Sequence, residues 1–242
     1  MPALLLIAHG SRDPRHAATV AALVEEVRDR RPGVEVATAY LDHCAPRIPQ
    51  VVGRLADAVA VPLLLNRAFH AKHDIPAALR AVGSRLPVAD VLGPSPLLLA
   101  ALDRRLAEAG LDVSSPAVRA RTGVVLAAAG SSDPAAGAAT RAVAAEWRRT
   151  RGWAAVEVAY ASAAGPRVPD ALGALRAAGA EHTAVSPYLL APGLLPDRIA
   201  AASEGADVLA DVLGPAPELA ALLLERYDEA SRTTSAVPAL TA

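Results

Sequence analysis

The stretch LLLIAHGSRDP, residues 4–14, decides the fold of the first part of this 242-residue chain. Its first five residues form a continuous apolar run, which is typical of a strand covered on both faces of a parallel sheet. His9 follows the run directly, and the Gly-Ser-Arg segment after it opens the next helix. The stretch therefore predicts a strand–turn–helix unit with an imidazole at the carboxyl end of the strand.

The same unit returns 120 residues later as VVLAAAGSSDP, residues 124–134, with Ala129 in the place of His9. Two further segments repeat in the same order, namely AYLDHCAPRIP (39–49) as AYASAAGPRVP (159–169) and DVLGPSP (90–96) as DVLGPAP (211–217). We therefore predict a tandem duplication. In this interpretation, residues needed for folding stay in both copies, and residues needed for a reaction remain in one.

Short apolar runs alternate with amphipathic helical patterns in both copies. Strands are predicted at 4–8, 34–40, 59–65 and 89–93, and again at 124–128, 156–160, 183–190 and 206–213. Such alternation favours a doubly wound parallel sheet in an α/β fold. We expect two similar halves, residues 1–114 and 115–228, with the active site in the cleft between them. Residues 229–242 lack a periodic apolar face and are expected to form a disordered tail.

Composition excludes several classes of function. A hydrophobic fraction of 53% and a net charge of -1 give no electrostatic basis for binding nucleic acid. The single cysteine, Cys44, excludes a disulfide framework and a cysteine-held iron–sulfur cluster. No apolar run approaches the ~20 residues of a membrane helix, and no basic region precedes the short apolar run at the start. We expect a soluble, cytoplasmic protein that binds neither nucleic acid nor membrane.

Imidazole and carboxylate side chains follow three strands of the first half. His9 follows the first strand, Asp42 and His43 follow the second, and His70 and His73 lie in the loop after the third. Because the carboxyl ends of parallel strands meet at one edge of a sheet, we expect these residues to gather there. Ligands of these types suit Fe, Co, Ni or Zn. The second half lacks the counterparts of His9 and Asp42, so the prediction places the metal site in one half.

Taken together, the AHGSRDP opening, the YLD segment at 40–42, the loop ending in DIP at 74–76 and the duplication resemble the sirohydrochlorin chelatase family in its long form. Members of this family are class II chelatases, lyases that insert a divalent metal into a tetrapyrrole for siroheme or cobalamin. The resemblance covers the chain up to its tail. It implies a chelatase-like fold and a metal-binding set of His9, Asp42 and His70, in which Asp42 stands where the family usually has Glu.

The resemblance also implies how the tetrapyrrole is bound, since the loop before the second histidine lines the substrate pocket in such enzymes. The expected tetrapyrrole-binding residues are Ser11, Arg12, Ala45, Asn66, Arg67, Ala68 and Phe69. The negative charge of the substrate's carboxylates would be balanced by arginines, including Arg47, and by free N–H groups at helix N-termini. His9 and His70 are the expected catalytic residues, because a neutral imidazole with a pKa near ~6.5 can hold a metal and accept a proton.

The implied partners are a sirohydrochlorin-type tetrapyrrole and Fe²⁺, Co²⁺ or Ni²⁺ as a substrate, with no tightly bound cofactor. The nucleotide-binding motifs G-x-x-x-x-G-K-[ST] and G-x-G-x-x-G are absent, which favours an ATP-independent reaction. One chain already supplies the two halves that a short relative would obtain by dimerising, so we expect a monomer.

Two other functions fit part of the pattern. A non-catalytic carrier of metal or tetrapyrrole would use the same pocket without turnover, and the sequence does not separate it from an enzyme. A histidine phosphatase also has a reactive histidine after its first strand. That class has an arginine immediately before the histidine, however, and Ala8 occupies this position here.

Overall fold

The computed structural model describes residues 1–66, 73–162 and 165–235. Its strands are β1 (Ala3–Ala8), β2 (Val36–Tyr40), β3 (Ala58–Pro62), β4 (Thr122–Ala128), β5 (Ala155–Tyr160), β6 (His182–Tyr188) and β7 (Val208–Leu209). Its helices are α1 (Pro14–Arg30), α2 (Ile48–Val52), α3 (Ile75–Ala81), α4 (Pro96–Glu108), α5 (Pro116–Arg119), α6 (Pro134–Arg151), α7 (Val168–Ala177), α8 (Leu194–Ala201) and α9 (Pro217–Ser235). Among the described helices, none is both long and apolar enough to cross a membrane.

Two parallel sheets form the centre of the fold, which confirms the predicted pair of α/β halves. The first has the order β2-β1-β3, and the second has the order β5-β4-β6-β7. Every residue of β1 is buried, because neighbouring strands flank it and it is covered on both faces. Leu4 lies opposite Val36 on one side and Val59 on the other. The apolar run that opens the chain is therefore the central strand of the first sheet.

Helices α1 and α6 begin in the same way in the two repeats. In α1, the carboxylate of Asp13 accepts a hydrogen bond from the backbone N–H of Arg15 at 2.9 Å, and Pro14 is the first helical residue. Asp133 and Pro134 repeat this arrangement in α6. An N-cap carboxylate followed by proline fixes where each helix begins and which face it turns to the sheet.

The strand predicted at 89–93 is not formed. Val88 pairs with Ala60 as an isolated bridge, supported by hydrogen bonds from the N–H of Ala60 to the carbonyl of Pro87 and from the N–H of Ala89 to the carbonyl of Ala60. Pro62 is the next donor position on β3 and has no N–H group, so a regular ladder cannot extend from this bridge along residues 89–93. The equivalent segment of the second repeat forms only the two-residue strand β7.

The compact units of the structure do not follow the sequence boundary at 114/115. The first unit comprises Met1–Ser95 and Pro217–Ala242, and the second unit comprises Pro96–Ala216. Helix α9 packs against α1 and β3, and α4 packs against β6. Each repeat therefore contributes its last helix to the unit built mainly from the other repeat. Sequence similarity between repeats does not report such an exchange.

The expectation of a disordered tail from residue 229 is not met for residues 229–235, because they continue α9 to Ser235. Short-range bonds support this polar extension. Arg226 pairs with Glu229 at 3.0 Å, and the hydroxyl of Ser231 donates to the carbonyl of Tyr227 at 2.8 Å. The last part of the predicted tail, residues 236–242, lies outside the described residues.

Candidate functional site

The ends of β1 and β2 bring His9 and Asp42 together. The backbone N–H of Asp42 donates to the carbonyl of His9 at 2.8 Å, and the N–H of Leu41 donates to the carbonyl of Ala8 at 2.9 Å. Gly10 makes this approach possible, because its φ is +91° and a Cβ there would lie 1.8 Å from the carbonyl oxygen of Asp42. Two residues predicted to bind metal therefore lie on adjacent strand ends whose backbones are in contact.

The carboxylate of Asp42 is held by two donors. Its Oδ1 accepts from the backbone N–H of His43 at 2.8 Å and from Nη2 of Arg47 at 3.1 Å. The His43 N–H, and after it the Arg47 guanidinium, lower the pKa of this carboxyl below its ordinary value. The side chain remains 53% exposed. Asp42 is consequently an accessible, ionised carboxylate at neutral pH.

A second imidazole, that of His43, lies beside this pair. Its ring centroid is 6.3 Å from that of His9, with the two planes tilted by 44°, and its Nε2 is 3.4 Å from Oδ2 of Asp42. His43 adopts a φ of 60°, in the left-handed region that few non-glycine residues occupy. Its backbone conformation and its contacts thus place His43 next to both His9 and Asp42.

A third imidazole, that of His16, comes to the same edge from α1. Its ring centroid lies 6.4 Å from that of Tyr40. Burial lowers the pKa of His16, and the charge of His9 lowers it further, whereas Asp13 opposes the shift. Within the described residues, its buried Nδ1 has no hydrogen-bond partner. Sequence reasoning missed His16 because it lies on a helix and not directly after a strand.

Cys44 fixes the turn that carries Ser11. Its Sγ donates to the carbonyl of Ser11 at 3.0 Å and accepts from the backbone N–H of Ser11 at 3.4 Å. The Oγ of Ser11 in turn accepts from the N–H of Asp13 at 3.1 Å. The single cysteine therefore joins the β2 loop to the turn at the start of α1. No signal in the sequence indicated this contact, which depends on a pairing 33 residues apart.

Three further residues predicted to bind the tetrapyrrole are described by the structure, and they differ in exposure and contacts. Arg12 is exposed and, in the part of the chain that the structure describes, takes part in no ion pair. Ala45 is exposed beside Arg47, whose guanidinium is directed to Asp42 and to the carbonyl of Leu41. Asn66 is half-buried after β3.

Four predicted residues, Arg67, Ala68, Phe69 and His70, lie outside the described residues. His73 is described, and it is exposed two residues before α3 begins. Within residues 1–66, 73–162 and 165–235, no three His, Cys, Asp or Glu side chains form a group that could hold a metal ion. Among the described residues, His9 and Asp42 therefore have no third side chain that would complete a metal site with them.

The second repeat keeps the same backbone frame without these side chains. Gly130 has a φ of +90°, and a Cβ there would lie 2.2 Å from the carbonyl oxygen of Ser162. The hydroxyl of Ser162 donates to the carbonyl of Ala129 at 2.6 Å. The frame therefore serves folding in both repeats, and the first repeat alone places imidazole and carboxylate groups on it.

Comparisons with known proteins agree with the duplication and the fold. The model of the CbiX family matches residues 3–109 and again residues 123–230. The chain is 30% identical to a sirohydrochlorin ferrochelatase of Priestia megaterium over 209 residues, which cover 82% of this chain and 77% of that protein. It is 27% identical to a sirohydrochlorin cobaltochelatase of the same organism, over 95% of this chain and 80% of that one. The solved structure of SirB from Bacillus subtilis with Fe³⁺ superposes with a TM-score of 0.80 at 24% identity, over 97% of both chains, which shows a shared fold.

Proposed function

The chain belongs to the CbiX family, and on that premise we propose that it is a sirohydrochlorin chelatase, which inserts Fe²⁺ or Co²⁺ into sirohydrochlorin without ATP. The observation that carries the proposal is the pairing of His9 and Asp42 at adjacent strand ends, where the second repeat has Ala129 and Ser162. The names of the relatives, sirohydrochlorin ferrochelatase and sirohydrochlorin cobaltochelatase, support it. The product would serve siroheme or cobalamin synthesis.

In this proposal the metal substrate is bound by the imidazole of His9 and the carboxylate of Asp42, and His70 provides a further ligand. Imidazole and carboxylate ligands suit Fe²⁺ and Co²⁺ alike. Asp42 is ionised at neutral pH, and its lowered pKa keeps it ionised under more acidic conditions, so no proton must leave it before the metal binds. Arg47 and the N–H of His43 already orient Oδ1.

Metal insertion releases two protons, because the free-base tetrapyrrole carries two pyrrole N–H groups that the metal replaces. We propose His9 and His70 as the proton acceptors. A neutral imidazole suits this role near neutral pH. His43 lies close enough to His9 and Asp42 to receive a proton from this site and pass it to solvent, since its side chain is one-third exposed.

The carboxylates of sirohydrochlorin need positive partners at the rim of the site. We propose Arg12 for this role, since its exposed guanidinium takes part in no ion pair within the described residues. Ser11, Ala45, Asn66, Arg67, Ala68 and Phe69 complete the proposed tetrapyrrole-binding set. Arg47 is assigned to Asp42 and not to the substrate, because its two contacts hold the carboxylate in place.

The test is an absorbance assay with sirohydrochlorin and Co²⁺ or Fe²⁺, corrected for spontaneous metallation. His9→Ala is expected to lower the rate of insertion by about a hundredfold, the scale for losing a positioned proton acceptor. The matched control is Ala129→Val at the equivalent position of the second repeat, which should leave the rate unchanged. Near-normal insertion by a folded His9→Ala protein would overturn the proposal.

The same assay separates the enzyme from a non-catalytic carrier. A carrier would bind one equivalent of metal or tetrapyrrole and show no turnover beyond it. We expect many turnovers per chain, with no dependence on added ATP. Adding Ala129→His to the His9→Ala protein should not restore activity, because Ser162 supplies no carboxylate beside position 129.

We further propose that the protein acts in the cytoplasm as a monomer. The duplication supports the monomer, because one chain carries both of the halves that a short relative would obtain by dimerising. Light scattering of the purified chain should give the mass of a single 24.7 kDa chain. An obligate dimer at low micromolar concentration would contradict this part of the proposal.

A further inference from the structure

A groove of about 720 Å³ lies between α6 and β5 in the second unit. We call it the α6–β5 groove, and the lining residues that matter here are Arg141, Arg148, Trp153, Glu157 and Tyr160. Strand β5 is at the edge of its sheet, so one of its sides pairs with no other strand of that sheet. The volume lies in the range of small-molecule sites in proteins. This groove is separate from the residues of the candidate functional site, which belong to the first unit.

The charges of the α6–β5 groove favour an anion. In the part of the chain that the structure describes, Arg141 and Arg148 form no hydrogen bond or ion pair through their guanidinium groups. A third arginine of the lining, Arg149, is already held by the carboxylate of Glu146 at 2.9 and 2.7 Å. Glu157 is exposed on β5 and is the acidic residue of the lining. Two free guanidinium groups thus face a groove with one carboxylate.

Two buried polar atoms in the lining also lack partners among the described residues. Trp153 is only 3% exposed, and its indole N–H donates to no acceptor there. The hydroxyl of Tyr160 is likewise buried without a partner. A buried donor without an acceptor lowers stability. Both residues line the groove, so a ligand acceptor that displaces the atoms covering these donors would supply the missing hydrogen bonds.

The first repeat provides an internal comparison, at positions 120 residues earlier. There Arg28 donates to the carbonyl of Val36 at 3.1 Å and so covers the edge strand. Arg148 is the counterpart of Arg28, yet it does not make the equivalent bond to Val156 within the described residues. The counterparts of Arg141 and Trp153 are Ala21 and Gly33. Arg141 and Trp153 are therefore particular to the second repeat, whereas Arg148 and Tyr160 have the same residue types, Arg28 and Tyr40, at the equivalent positions.

Gly137 leaves space beside two of the residues that line the groove, Arg141 and Tyr160. A Cβ at this position would lie 3.4 Å from Nη1 of Arg141 and 3.7 Å from the hydroxyl oxygen of Tyr160. These two polar groups therefore converge over the bare backbone of Gly137. The first repeat has Ala17 here, whose methyl group occupies the corresponding space.

We propose that the α6–β5 groove binds an elongated dianion whose two acidic groups pair with Arg141 and Arg148. These arginines are seven residues apart on one helix, which separates their Cα atoms by about 10 Å along its axis. A single small anion does not span that distance, whereas a molecule with acids at both ends does. One acidic group is held by Arg141 and the Tyr160 hydroxyl, and the other by Arg148. Carboxylates and phosphonates both match the guanidinium group.

The test measures binding of sebacate, a ten-carbon dicarboxylate, and of decane-1,10-bisphosphonate, each against the short dicarboxylate succinate. Calorimetry gives the dissociation constant, and fluorescence reports on the groove because both tryptophans of the chain, Trp147 and Trp153, lie in the second unit. We expect the long dianions to bind at least tenfold more tightly than succinate. The preferred long ligand identifies the acidic group that the groove takes.

Substitutions then test whether Arg141 and Arg148 hold the two acidic groups of the ligand. Arg141→Ala and Arg148→Ala are each expected to weaken sebacate binding about tenfold, as expected for the loss of a hydrogen bond to a charged group. Arg149→Ala is the matched control, since that guanidinium is already paired, and it should change the dissociation constant less than twofold. Arg28→Ala at the equivalent position of the first repeat should have no effect.

Gly137→Ala keeps the proposal testable if an arginine variant folds poorly. Alanine is the better helix former, so this variant should raise the melting temperature while it narrows the groove and weakens sebacate binding several-fold. Equal binding of succinate and sebacate, or sebacate binding unchanged in both arginine variants, would overturn the proposal. So would binding of an acidic peptide along β5 when neither long dianion binds.

Discussion

Gly10 is the residue on which the geometry of the candidate site depends. Gly10 lies in the turn that follows β1, and the backbone of this turn packs closely against the carbonyl oxygen of Asp42. A side chain would meet that oxygen, and the positive φ would strain any residue with a Cβ. Gly10 therefore determines both that the turn forms and how closely His9 approaches Asp42.

We predict that Gly10→Ala and Gly130→Ala have similar effects on stability and different effects on activity. Each adds a Cβ at a φ near +90° within 2.2 Å of a carbonyl oxygen, so each should lower the free energy of unfolding by about 3 kcal/mol or more. Gly10→Ala displaces His9 from Asp42 and should also abolish metal insertion by the folded fraction. Gly130→Ala should keep the specific activity of its folded fraction. Urea unfolding and the absorbance assay measure the two effects.

Equal loss of specific activity in both glycine variants would contradict this division of roles. Conversely, a Gly10→Ala protein with wild-type stability would show that the turn can relax away from Asp42.

At this scale, sequence reasoning located the residues that follow strands and missed those that reach the same edge in another way. His9 and Asp42 were expected together because parallel strands end at one edge, and their backbones are in fact hydrogen-bonded. His16 comes from a helix, and Cys44 acts through the backbone of Ser11. Such contacts depend on side-chain directions and turn geometry, which a linear pattern does not contain. The metal-binding role of His9, Asp42 and His70 stays a prediction.

Among the elements, α9 shows how local bonds extend a helix beyond its apolar stripe. The hydroxyl of Tyr227 donates to the carbonyl of Pro2 at 2.6 Å, and Nη2 of Arg31 donates to Oδ2 of Asp228 at 2.9 Å. Residues 229–235 then continue the helix to Ser235. The periodicity of apolar residues ends near Asp228, so the sequence predicted the end of the helix there. The tertiary hydrogen bonds of Tyr227 and Asp228, followed by local hydrogen bonds, extend the helix beyond this point to Ser235.

We predict that a chain ending at Asp228 is less stable than one ending at Ser235. The shorter chain loses the bonds of Glu229 and Ser231 and leaves Tyr227 and Asp228 in a fraying terminal turn. The expected loss is about 1 kcal/mol for the weakened anchors, or about 2–4 °C in Tm. Differential scanning calorimetry of both chains, with Tyr227→Phe in the full chain as a reference, measures it. Identical Tm values for the two truncated chains would show that residues 229–235 do not stabilise the anchors.

The segments near 89–93 and 206–213 show a second limit of periodicity. Each carries an apolar run of strand type, yet the first forms only an isolated bridge and the second a two-residue strand. Both lie at the outer side of their sheets and lead into a turn with glycine and proline. Burial makes such runs apolar, and burial alone does not require a regular ladder.

For the molecule as a whole, the duplication is visible in the sequence but the exchange of helices is not. The repeats match segment by segment, which predicted two halves divided near residue 114. In the structure, α4 joins the second unit, where Asp103 accepts from the indole N–H of Trp147 at 2.8 Å. Helix α9 joins the first unit, where Arg226 donates to the carbonyl of Val91 at 3.0 Å. Because both repeats end in a similar helix, either assignment is compatible with the pattern of apolar residues.

The exchange predicts which fragment of the chain folds alone. Residues 1–114 contain α4 and lack α9, so the faces of α1 and β3 that pack against α9 would be exposed to water. We expect this fragment to aggregate or to unfold without a cooperative transition. A fusion of Met1–Ser95 to Pro217–Ser235 through a flexible linker of about 20 Gly and Ser residues restores α9 to the first unit. The fusion should be soluble and unfold cooperatively in urea.

The comparison is decided by circular dichroism and gel filtration of the two fragments at equal concentration. A further control is the fusion carrying Tyr227→Ala, which removes both the packing of the ring and its bond to Pro2 and should lower the free energy of unfolding by about 3–5 kcal/mol. If residues 1–114 fold cooperatively and the fusion does not, then α4 can replace α9 on the first sheet. The helix exchange would in that case be a property of the intact chain alone.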